Sequence, residues 1–142
     1  MKKTSSVLIM LFILAPAALF AAVDNWHTAN QFTVAWDAVT TLEDGTPVPA
    51  NSTVSYKVYT KPDGAPSPIT EVASVTVLEA TITLSTEGKY IIGIKAIRSV
   101  DAVQVSESTI SWSDDSAVVS SAETFGVLYY LPPGAVRGVK KK

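Results

Sequence analysis

The chain has 142 residues, with 11 Lys and Arg against 13 Asp and Glu, one His and no Cys. A net charge of −2 argues against nucleic acid as the main partner. The lack of Cys excludes disulfides and thiolate metal sites.

The first element is a leader. Lys2 and Lys3 precede an apolar run from Val7 to Phe20, broken by Pro16 and followed by Ala21 and Ala22. Charged, apolar and small-residue zones in that order predict a secretory signal peptide over residues 1–21, cleaved after Ala21 or Ala22. The competing reading is an uncleaved anchor, but Val7 to Val23 is 17 residues before Asp24, short of the roughly 20 that span a bilayer. No stable membrane span is therefore expected after cleavage. No Cys follows, which rules out a lipoprotein anchor. Removing residues 1–21 leaves 121 residues, and nine basic against 13 acidic side chains give −4. That length makes one domain. An exported domain without disulfides points to a secreted or periplasmic protein, most naturally bacterial.

The remaining chain reads as strands separated by turns. In "QFTVAWDAV", Phe32, Val34 and Trp36 share one face; "TLEDGTPVPANST" is a loop. In "TVSYKVYTK", Val54, Tyr56 and Val58 alternate with Ser55, Lys57 and Tyr59. "PDGAPSP" breaks the pattern before "ITEVASVTV" and "EATITLS", where Ala80, Ile82 and Leu84 point inward. "KYIIGIKAIRS" then places Tyr90, Ile92, Ile94 and Ala96 at period two. β-Branched and aromatic residues dominate, prolines fall between runs, and turn signals recur every 8–12 residues or so. The prediction is an all-β, seven-stranded antiparallel β-sandwich. Trp36 is expected between the sheets with Tyr56, Leu84, Ile92 and Ile94.

Tyr90 lies six residues after Leu84, across "STEG". In Greek-key sandwiches a Tyr at this corner turns its ring inward and bonds its hydroxyl to backbone just upstream. With Trp36 in "FTVAWDAV", Tyr56 in "VSYKVYTK", Leu84 and the run Tyr90 to Ala96, the chain resembles the fibronectin type III family, an immunoglobulin-like fold. "SWSDDS" at 111–116 resembles that family's entry to its last strand. The resemblance covers about residues 28–121. It implies adhesion or scaffolding without naming a partner. It makes Trp36, Tyr56, Leu84 and Tyr90 structural residues.

Catalysis has little to draw on. A nucleophile with its base, or two acid–base groups, must converge. The one His, His27, has no second His or Cys to share a metal with. Asp114 and Asp115 are adjacent in sequence, lack the spacing of a calcium loop, and with Glu107 make a weak calcium reading at most. No phosphate loop or GxSxG occurs, and "NST" at 51–53 is a chance sequon in a bacterial protein. The chain is read as a non-enzyme without cofactor or metal.

Trp112 has two readings. Receptors that resemble this family stack such a Trp against cations of the preceding strand, which would place Lys95 or Arg98 over it. The plainer reading has Trp112 covering the sheet edge. The domain is expected to span residues 22–121, with its seven strands complete by Ser121. Residues 122–142 then form a C-terminal extension: an apolar strand, Thr124 to Leu131, and a basic tail ending in Lys140 to Lys142, solvated or touching an anionic surface. Since both parities of that strand are apolar, it is expected to pair along an existing sheet edge with one face partly exposed as a partner surface, with Trp112, Phe125, Tyr129 and Tyr130 the candidate contacts. The reading is an exported binding or adhesion-type module for a protein or glycan. The alternative is a structural accessory subunit of a surface or envelope assembly, docking through its C-terminal strand.

Overall fold

The computed structural model describes residues 22–120 and 123–141. The expected signal peptide, its cleavage after Ala21, the domain boundary at 121/122 and Lys142 lie outside the described residues.

Nine strands and no helix are found among them: β1 Asn25–Thr28, β2 Gln31–Ala35, β3 Ser52–Pro62, β4 Thr70–Val75, β5 Glu79–Thr83, β6 Gly88–Val100, β7 Val103–Glu107, β8 Ser111–Trp112 and β9 Phe125–Tyr129. Seven of them form a mixed sheet in the order β1-β9-β6-β3-β4, with β7 and β8 also paired to β6; β2 and β5 form a separate two-stranded sheet. The core draws Val34, Ala80, Ile82 and Leu84 from the small sheet and Val58, Ile92 and Val127 from the large one. These are the inward parities of the alternating runs, which is why a period-two pattern produces this core.

Three expectations are corrected here. The described residues hold nine strands rather than seven, with β1 and β7 not read from the sequence. The pairing is not wholly antiparallel, because β1 runs parallel to β9 from Asn25↔Phe125 to Thr28↔Leu128. Nor is the segment after Ser121 an appended strand. β9 lies inside the large sheet, paired to β6 on one side and β1 on the other, and Val127 is 0% exposed. The physical reason is the length of β6. Along one edge β3 pairs with most of the 13 residues of β6, and the other edge is long enough for three short strands to share. β7 covers Ile97 to Val100, β8 covers Gly93 and Ile94, and β9 covers Gly88 to Tyr90.

At the start of β6, the Tyr90 hydroxyl donates to the Thr86 carbonyl oxygen at 3.0 Å. The ring packs against the core. Tyr90→Phe keeps that packing and deletes one bond, worth about 0.5–1.5 kcal/mol net. A melt by circular dichroism should fall by a few degrees, at roughly 4 °C per kcal/mol.

Candidate functional site

The two sheets separate along one side of the molecule. A cleft of 520 Å³ opens there, walled by Val34 and Ala35 at the end of β2 with Trp36 and Asp37 after it, and by β8 with Ser113, and floored by Tyr56, Ile92 and Ile94. Its mouth carries Val118, Val119 and Ser120. Toward β1 an aromatic trio lies beside a second, shallower pocket. His27 and Phe32 lie 5.1 Å apart, Phe32 and Phe125 6.0 Å, and His27 and Phe125 6.3 Å between ring centroids.

Trp36 stands at the rim of this cleft. It packs against the core as expected but is half-buried rather than fully enclosed. Its ring lies 5.4 Å from that of Tyr56, and its indole N–H is buried without a hydrogen-bond partner. Tyr56 is buried, and its hydroxyl oxygen accepts the Val39 N–H at 3.0 Å. Leu84 is buried in the core at the far end of β5.

The cleft follows from two chain paths. First, β1 joins β9 instead of lying beside β2. Asp24 and Thr124 hold it there: the Thr124 N–H and hydroxyl both donate to the Asp24 carboxylate, at 3.0 and 2.9 Å. Second, the chain leaves the β6 edge after Ser113 and returns at Thr124. Ser113 is 6% exposed and bonds at both ends of this excursion. Its hydroxyl accepts the Ile92 N–H at 3.1 Å and donates to the Phe125 carbonyl at 2.6 Å. Its N–H donates to the Ile92 carbonyl at 2.8 Å, and its carbonyl accepts the Phe125 N–H at 2.9 Å. Within the excursion Asp115 holds a turn, accepting the Ala117 N–H at 2.9 Å on its carboxylate and the Val118 N–H at 3.1 Å on its carbonyl.

The strand edge at the cleft is unpaired. In the β2–β5 ladder the even positions exchange hydrogen bonds, as shown at its ends by Leu84 N–H to the Asn30 carbonyl (2.8 Å) and Trp36 N–H to the Leu78 carbonyl (3.0 Å). Antiparallel geometry then turns the N–H and C=O of Gln31, Thr33 and Ala35 away from β5. Among the described residues, no strand pairs with that edge.

The outer face of the large sheet is organised differently. Gly93 and Gly126 leave gaps in which indoles lie: a Cβ on Gly93 would come within 2.6 Å of the Trp112 ring, and one on Gly126 within 2.6 Å of Trp26. Lys61 lies 4.5 Å over the Trp112 ring and Lys89 4.9 Å over Trp26. The cation over Trp112 is thus Lys61 of β3, not Lys95 or Arg98. The residue opposite Trp112 on β6 is Gly93, so the indole crosses β6 toward β3. Lys95 instead bonds Glu107 at 2.9 Å, and Arg98 bonds Ser52 at 2.9 Å. Lys61 is also held by Asp114 at 2.9 Å, so Asp114 serves an ion pair while Asp115 caps a turn.

Gly93→Ala should push the indole off β6. Overpacking of this kind costs about 1–3 kcal/mol, read as a lower melting temperature and a shift in tryptophan emission. Farther along, Lys57 opposes Lys95 across β3 and β6, and each has its own carboxylate, Glu71 and Glu107. Hydrogen bonding to Glu107 raises the Lys95 pKa, and the same bond lowers that of Glu107. The pair's small contribution is therefore lost as pH falls below the ordinary carboxylate range, or rises above the ordinary lysine range.

The four residues expected to form one partner surface are dispersed. Trp112 is on the outer face, Phe125 and Tyr129 are half-buried against the core, and Tyr130 is 56% exposed beyond β9. Ser113, Gly93, Lys61 and the free β2 edge escaped the sequence reading. Of these, only Gly93, a glycine inside a strand pattern, carried a local signal. No group of three or more His, Asp or Glu that could hold a metal lies together among the described residues. No family model matches the chain, and no curated protein or solved structure shows detectable similarity to it.

Proposed function

We propose that this chain is an exported, non-catalytic binding module of the fibronectin type III kind, its two sheets packed as an immunoglobulin-like β-sandwich. The sandwich reading is supported by a core drawn from both sheets and by the Tyr90 hydroxyl bond to a carbonyl four residues upstream. The export reading is supported by the leader pattern of residues 1–21 and by a cysteine-free chain. The binding reading rests on one observation, a 520 Å³ cleft that opens onto Ile92, Ile94 and Val34. Ligand sites are concave, mostly apolar and of this size. The partner is a protein or glycan of the periplasm or cell surface, and no cofactor takes part. An accessory-subunit role would need a surface other than the C-terminal strand, since both edges of β9 are already paired.

The test immobilises the chain from Ala22 onward, challenges it with envelope extract and a glycan array, and reconstitutes any retained partner from purified components. A saturable complex of fixed stoichiometry is expected. Retention of neither protein nor glycan above a blank matrix would overturn the reading.

A further inference from the structure

We propose that the cleft is a strand-addition site: an extended peptide segment of another protein pairs with the free edge of β2 and sets alternate apolar side chains into the cleft. This rests on the binding-module reading and names its partner class. Gln31, Thr33 and Ala35 present three N–H and C=O pairs along that edge, two residues apart. Such a row repeats about every 6.8 Å, twice the rise of an antiparallel strand. The backbone of another extended chain repeats with the same period, whereas a sugar or lipid does not.

The wall beside this edge is the end of β2 and the residues just after it. Val34 and Ala35 of β2, then Trp36 and Asp37, line the cleft, and none comes from β5. A strand laid on β2 would thus place one face of its side chains over Val34, Ile92 and Ile94. The small sheet has only two strands, fewer than an independent sheet requires, and a third would complete it.

The edges of β4 and β7 carry features that discourage pairing, β1 has only four residues, and β5 begins on Glu79. β4 has Glu71 and a register shift against β3, and β7 has a register shift against β6 and ends on Glu107. β2 has neither charge nor proline, and its register with β5 is unbroken from Gln31 to Ala35. Strand addition of this kind takes affinity from main-chain bonds and specificity from pockets for alternate side chains.

The probe is a displayed library of random dodecapeptides, selected on the chain from Ala22 onward. Thr33→Pro removes an outward N–H and no backbone bond to β5, so it blocks the edge at the cost of one exposed hydroxyl bond to Thr81; Ala35→Pro blocks it one step along with no side-chain bond lost and serves if the first variant melts early. Selected peptides should carry apolar residues at alternate positions and bind at least ten-fold more weakly to Thr33→Pro. They should also slow amide exchange at Gln31, Thr33 and Ala35. Three outcomes overturn the proposal: no alternating peptides are selected, the selected ones bind Thr33→Pro equally well, or the chain forms a dimer that Thr33→Pro abolishes, which assigns the edge to a second copy. Undiminished capture of the envelope partner by a folded Thr33→Pro chain would refute this site while leaving the binding-module reading intact.

Discussion

A chain ending at Glu123 should not fold: its far-ultraviolet circular dichroism should lack the β-sheet signal and show no cooperative melt. The reason is the position of β9. Its loss removes fully buried Val127 from the core, frees the β6 edge from Gly88 to Tyr90, and leaves β1 with no strand to pair with. Ser113 loses both bonds to Phe125, and Asp24 loses Thr124. Removing the interior strand of a domain this size exceeds its net stability of about 5–15 kcal/mol. A chain ending at Leu131 provides the contrast. It discards residues 132–142, of which those described are coil and exposed, and should melt within a degree or two of the full chain. A soluble, cooperatively folding chain ending at Glu123 would restore the idea of an appended docking strand.

Ser113→Ala should be the most damaging single-atom change at the site. The hydroxyl serves a buried N–H and a carbonyl on two different strands, Ile92 and Phe125. Each group left without a partner costs about 1–3 kcal/mol. A loss of about 2–4 kcal/mol is expected, or roughly 8–16 °C in melting temperature. The effect should also be local. Amide exchange should accelerate at Ile92 before the rest of β6, since its N–H is the donor released, while the Phe125 N–H keeps its bond to the Ser113 carbonyl. Uniform acceleration across β6 would mean that Ser113 acts only through global stability.

Much of the fold was legible because strand periodicity is local. Which residues face inward depends only on alternation along a few positions, so Val34, Tyr56, Val58, Ile82, Leu84 and Ile92 could be assigned to the core before any pairing was known. The corner formed by Tyr90 and Thr86 was readable for the same reason, being closed within four residues. The site was less legible. It depends on an edge that is absent from the pairing scheme, and on a serine whose partners lie 21 and 12 residues away.

The sequence by itself determined the longer strands, their inward faces and the turns between them, since alternation, proline and glycine act on neighbouring residues; the short β1 and β7 escaped that reading. Tertiary structure alone decided which strands meet. Every residue but proline offers the same backbone N–H and C=O, so nothing in Asn25 to Thr28 or Phe125 to Tyr129 names the other as its partner across 100 residues. That single pairing places β9 inside the sheet, draws β1 away from β2, and leaves the free edge from which the cleft opens.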